Sequence, residues 1–212
     1  MKQKIKQHFK KNDRVIYQYL VTAKNLPVLE TAAPQSYFYR LIREIAFQQL
    51  SGKAGSTIFS RFENLFNGKQ PTPAAVVKKS HETLRSSGLS NAKASYIRNI
   101  AEAAVNKKLV FEKLPSMNDD AVIETLVQIK GIGRWTAEMF LIFTLGRENV
   151  FSTGDLGLKK GMIKLYGLKK EPNLKQIIKI TEKWSPYKTY GSLVLWHVND
   201  NEAKKYISET RN

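Results

Sequence analysis

Residues 126–160 read LVQIKGIGRWTAEMFLIFTLGRENVFSTGDLGLKK, and the fold turns on how this stretch is understood. The segment leading into it, AVIETLVQI at 121–129, places apolar side chains at 122, 123, 126, 127 and 129. That is the three-and-four spacing of a helix, not the alternation of a strand. A second apolar helix is predicted over 135–145. Between the two, Gly131 and Gly133 bracket Ile132, which allows a tight reversal with no side chain in front of the backbone amides. Those amides open the second helix, where unpaired N–H groups and the helix dipole favour an anion, a phosphate above all. A plain helical hairpin whose glycines only cap a helix has the same local pattern.

The charge balance favours the phosphate. The 212 residues carry 35 Lys and Arg against 18 Asp and Glu, a formal net charge of +17. Neutralising a polyanion releases its counterions, so nucleic acid is the natural partner. Solubility or an acidic membrane surface would explain the charge equally well, but neither requires the glycine turn. The longest apolar run, around 139–145, is far too short to span a bilayer. The basic start MKQKIKQHFKKNDR lacks the apolar core of a secretory signal, so an intracellular protein is expected, in the cytoplasm and nucleoid or in a nucleus. With no cysteine, the chain holds no disulfide, thiolate zinc site, cysteine nucleophile or cysteine-ligated iron–sulfur cluster.

The rest of the chain repeats the helical spacing. Residues 1–14 are expected to be a charged, partly disordered lead-in, and VIYQYLVTA (15–23) fits a helix or a strand. Residues 36–66 predict two helices meeting near Ser51 and Gly52. Further helices are predicted over 74–80, 82–87, 90–107, 119–129, 156–165, 173–184 and 186–208. Pro73 suits a first helical position, Ser90 a cap, and Ser116 or Asn118 a cap for the 119–129 helix. The chain reads as all-α.

LVQIKGIGRWTAEMF resembles the helix-hairpin-helix of the HhH-GPD DNA glycosylase superfamily, and FSTGDLGLKKG resembles the loop and Asp that follow it there. IAFQQLSGKA (45–54), LRSSGLSNAKASYIRNIA (84–101) and WSPYKTYGSLVLW (184–196) are similar to blocks of its 3-methyladenine DNA glycosylase II branch, in the same order. The resemblance implies two helical lobes with an active cleft between them. Residues 36–150 would form the lobe carrying the hairpin at 121–145. Residues 151–212 would form the lobe carrying the acid, with residues 1–35 packed against it. Only those 35 residues precede the first matching block, so the compact form is expected, without the β-rich N-terminal domain of some members.

The same resemblance places the chemistry. Asp155 would be the catalytic carboxylate, stabilising the positive charge that develops on deoxyribose and orienting the attacking water. A helix start and the neighbouring Lys159 and Lys160 favour its anion, although capping that helix is the commonest reason for an Asp there. In the lyase branches a lysine occupies the position held here by Trp135, and an indole forms no imine, so simple hydrolysis of the base is implied. The absence of cysteine separates the chain from the cluster-bearing branches resembling endonuclease III and the adenine glycosylase.

Trp135 and Trp196 would line the pocket for a flipped, cationic base, with Met139 beside them and Tyr37 or Tyr39 contributing. Trp184 is expected to be core. Gln49 or Leu50 would be the wedge that fills the gap in the duplex. Lys130, Gly131, Gly133, Arg134 and Thr136 would meet the DNA backbone. By the resemblance, the carbonyls of Val127, Ile129 and Ile132 would coordinate Na+ or K+; no organic cofactor and no catalytic metal is implied. His8, His81 and His197 are too scattered for a metal site. Lys188 departs from the arginine common in the last block and loses its bidentate fork.

The expected activity is removal of alkylated bases from double-stranded DNA by a monomer, with no membrane partner. A glycosylase for hypoxanthine or uracil, and a non-catalytic helix-hairpin-helix module, are the alternatives.

Overall fold

A computed structural model describes residues 3–209, with side chains described through residue 200. Twelve α-helices run in chain order: α1 Gln3–Asn12, α2 Arg14–Thr22, α3 Tyr37–Phe47, α4 Gly52–Asn64, α5 Pro73–Val77, α6 His81–Arg85, α7 Asn91–Val105, α8 Asp119–Val127, α9 Arg134–Phe143, α10 Leu156–Tyr166, α11 Leu174–Thr181 and α12 Lys188–Glu209. Short 3-10 turns punctuate them, and no strand occurs among the described residues. The chain divides into two compact units. One is Met1–Glu30 with Gly146–Asn212, and the other is Thr31–Leu145.

In the first unit, α1 and α2 are part of the core. Residues 1–14 were expected to be a partly disordered lead-in; instead Gln3–Asn12 is helical with Ile5 and Phe9 fully buried. The lysines around them mask an apolar stripe that closes on Trp184, whose ring lies 6.3 Å from that of Phe9. Burying such side chains contributes about 1.5–3 kcal/mol each. The ambiguous 15–23 segment is the helix α2, started by Asp13, whose Oδ1 accepts the Val15 and Ile16 amides at 3.1 and 3.2 Å. Asp13 Oδ2 accepts from Tyr166 Oη at 2.7 Å, Trp184 Nε1 at 2.8 Å and Lys183 Nζ at 3.2 Å. Burial alone would raise this carboxyl. The bonds from Trp184, Tyr166 and the Ile16 amide, with the Lys183 charge, outweigh it and hold the group below its ordinary value. Helices α10 and α12 pack at Gly161, where any Cβ would collide with the Leu195 carbonyl. That is closer than two side-chain-bearing helices approach.

In the second unit, α3, α4, α7, α8 and α9 bury Leu41, Ile45, Phe62, Ile97, Leu126 and Phe140. The predicted caps fall where the local chemistry asks. Pro73 sits in the first turn of α5. Ser90 Oγ accepts the Lys93 amide at 3.2 Å. Of the two candidates for α8, Asn118 is the cap, its Oδ1 accepting the Ala121 amide at 2.8 Å. Ser116 Oγ donates instead to the Lys113 carbonyl.

Candidate functional site

The hairpin comes first. Gly131 has φ +111°, a conformation side chains rarely adopt, and a Cβ there would run into the ring of Tyr96. Gly133 caps α9 with no side-chain bond, leaving the first amides of that helix facing outward beside the exposed Lys130, Arg134 and Trp135. The turn is closed by the Ile132 amide donating to the Ile129 carbonyl at 3.0 Å.

Two of the expected backbone contacts carry other bonds as well. Thr136 is buried, and its Oγ1 accepts from Gln48 Nε2 at 3.2 Å, so only its amide, not its hydroxyl, is placed for a phosphate. Arg134 gives its Nε to Glu138 Oε1 at 2.9 Å, although its side chain remains 68% exposed.

Trp135 lies along a groove of about 480 Å³ with Glu44, Phe47, Gln48, Gln49 and Leu50. The structure thus brings the two wedge candidates beside the indole that stands where lyases have lysine. Gln49 takes φ +56°, uncommon for a non-glycine residue, and Leu50 is 36% exposed. Glu44 had not been anticipated. Burial pushes its carboxyl up, against the pull of Arg43 and Arg40.

Three pocket candidates sit elsewhere. Met139 is buried, and Tyr37 is buried edge-on to Phe140 at 5.7 Å. Tyr39 donates to Glu63 Oε1 at 2.8 Å. Both tyrosines serve the packing around α3, because aromatic rings on its inner face fill the gap to α4 and α9.

The acid belongs to the first unit. Asp155 is 7% exposed and starts α10. Its Oδ1 accepts the Leu158 amide at 2.7 Å and Trp196 Nε1 at 3.0 Å. Asp155 therefore caps its helix, and half-buried Trp196 meets the same carboxylate directly. Of the two neighbouring lysines, Lys159 bonds Glu171 Oε1 through its Nζ at 2.8 Å, and Lys160 is exposed. Trp184 is core, as its spacing implied.

The histidines serve the scaffold, at Lys183 O for His8, Asn91 for His81 and Tyr19 for His197. Among the described residues no three His, Asp or Glu side chains cluster as metal ligands, and no helix is long and apolar enough to cross a membrane.

A carboxylate held by an amide and an indole, rather than rotating in solvent, suits it to face a developing cation. A glycine turn at a helix start suits a phosphate. The HhH-GPD superfamily base excision DNA repair proteins match residues 42–186. DNA-3-methyladenine glycosylase 1 of Schizosaccharomyces pombe is 38% identical over 161 residues, 75% of this chain and 71% of that protein.

Among solved structures, the DNA-3-methyladenine glycosidase of Bacillus halodurans superposes with a TM-score of 0.82 at 36% identity, covering 96% of this chain and 92% of that one. The S. pombe 3-methyladenine DNA glycosylase in complex with abasic DNA gives 0.81 at 33% identity, covering 91% and 95%. The chain belongs to the HhH-GPD superfamily of base excision DNA repair proteins.

Proposed function

We propose that this chain is a monofunctional DNA glycosylase that hydrolyses the N-glycosidic bond of alkylated bases, of the 3-methyladenine and 7-methylguanine type, in double-stranded DNA. It thereby performs the first step of base excision repair. The observation that carries this reading is the Asp155 carboxylate, buried and oriented by Leu158 N–H and Trp196 Nε1–H. Bond cleavage leaves positive charge on the sugar, and a pre-oriented anion lowers that barrier without reorganising. The same carboxylate orients water for attack on C1′.

Trp135 supplies no amine, so the product strand stays intact. Trp196 offers its ring to the cationic base beside the acid, Trp135 offers an exposed indole in the second unit, and the exposed loop at Gln49 and Leu50 is the wedge. Lys130, the exposed Arg134 guanidinium and the amides of Gly131 and of Gly133 to Thr136 hold phosphates. The protein acts as a monomer without an organic cofactor. Na+ or K+ fits the carbonyls of Val127, Ile129 and Ile132: Ile129 O spends one lone pair on Ile132 N–H and keeps another for a cation. Bound there, the ion would tie the hairpin to a phosphate.

The relatives named for 3-methyladenine support the substrate class. Base release from methylated duplex DNA by wild type and Asp155→Asn tests the reading. Wild type is expected to release methylated purines and leave alkali-labile, uncut abasic strands. Equal release by the variant would end the catalytic assignment, and release only of hypoxanthine or uracil would move the substrate to the other class.

A further inference from the structure

Helix α7 carries no residue assigned a role so far, yet one of its faces touches both loops of the second unit that are read as meeting DNA. Lys93 Nζ donates to the carbonyls of Ala46 at 2.9 Å and Gln48 at 2.7 Å, at the end of α3 and the start of the 48–50 loop. Tyr96 fills the space under Gly131. Asn99 Nδ2 donates to the Lys130 carbonyl at 3.0 Å. The three residues are spaced by three, so they share a helical face.

Lys93 is the telling member. It stands in the first turn of α7, where the helix dipole disfavours a cation. Burial draws its ammonium below the ordinary value, a further cost of placing a charge there. Neither effect helps α7. Both are offset by what the ammonium does for its neighbour: it satisfies two carbonyls at a helix C-terminus, where intrahelical donors have run out. The next residue, Gln49, is in the left-handed region at φ +56°, a conformation that persists only when its surroundings impose it. Gln48 is held from the other side by its own bond to Thr136 on α9.

We infer that Lys93 is the positioning residue of the wedge, and that the Lys93–Tyr96–Asn99 face of α7 fixes the 48–50 loop and the hairpin turn at a set separation. The inference rests on reading the 48–50 loop as the wedge. Lys93 does not touch the base or the sugar. Its work is to hold Gln49 and Leu50 ready to enter the stack, so that unstacking a paired lesion is compensated as it occurs. A lesion that is already unpaired needs that help far less.

The test is single-turnover release of 7-methylguanine from two duplexes, one with the lesion paired to cytosine and one with it opposite an abasic spacer. Lys93→Met is expected to slow release about tenfold on the paired duplex, the loss of a charge-assisted contact, and by less than about twofold on the unpaired one. Equal slowing on both would mean a general scaffold role, and no slowing on either would mean none; each overturns the inference. If Lys93→Met unfolds near assay temperature, Lys93→Gln, which keeps one amide donor, is read by the same ratio. The Gln49→Ala/Leu50→Ala double variant separates the two levels. If it matches wild type on the paired lesion, the wedge reading falls. If it shows the paired-lesion defect and Lys93→Met does not, the Lys93 inference alone falls.

Discussion

Two buried aspartates in the first unit are built on nearly the same plan. Asp13 and Asp155 each start a helix, and each accepts an indole N–H, from Trp184 and Trp196 respectively. The difference lies in what surrounds them. Asp13 spreads five donors over both oxygens, one of them the Lys183 ammonium, and its indole is fully buried. Asp155 takes the Leu158 amide and the indole on the same oxygen, and its indole is only half-buried. A carboxylate saturated from within holds a fold together. One beside a half-buried indole is less enclosed by the fold, as the proposed catalytic role requires.

The largest effect should separate the two outright. Asp155→Asn is expected to lower base release about a hundredfold or more with little change in thermal midpoint. Asp13→Ala should keep release at a temperature where it is folded and lose about 3 kcal/mol of stability, since it strands a buried indole, a phenol and a lysine. Calorimetry alongside the release assay would show whether the effects divide this way.

The indoles sharpen the contrast. Trp196→Phe keeps a ring but removes the N–H at Asp155, and release should fall about tenfold. Trp184→Phe should cost about 1–3 kcal/mol of stability and leave the rate per folded molecule unchanged.

Acid gives a smaller, signed test. The folded Asp13 carboxyl is held below its usual 3.8, so the stability it adds is complete above that value and is lost as pH falls through the lower folded one. The gap in thermal midpoint between wild type and Asp13→Asn should therefore be widest above about pH 4 and narrow as the pH falls below it. The smallest effect is on DNA grip. Lys130→Ala should weaken duplex binding uniformly across sequences and reduce the salt-dependence slope by about one.

The contrast also marks what the residues could reveal by themselves. The cap at Asp155 was legible because its surroundings are local: a glycine-rich loop before it and a helix after it. The helical spacing and caps of the second unit were legible for the same reason. Asp13 was not, because Tyr166 and Trp184 lie 153 and 171 positions away. The helix at Gln3–Asn12 was hidden similarly, since its two apolar residues sit among lysines and gain meaning only against Trp184. Lys93 reads as one more solvated charge until the folded chain brings carbonyls from 45 and 47 residues upstream to it. Thr136, placed on a promising turn, points inward because α9 must bury one face against the end of α3.

Because the Leu158 amide in the first turn of α10 holds Asp155, the acid's aim depends on whether one turn of helix stays wound. Helix ends fray well below the temperature at which a whole domain melts. Heating should therefore silence this enzyme reversibly while its circular dichroism still looks native, and a crowding or binding partner that clamps the start of α10 would extend its working range without touching overall stability.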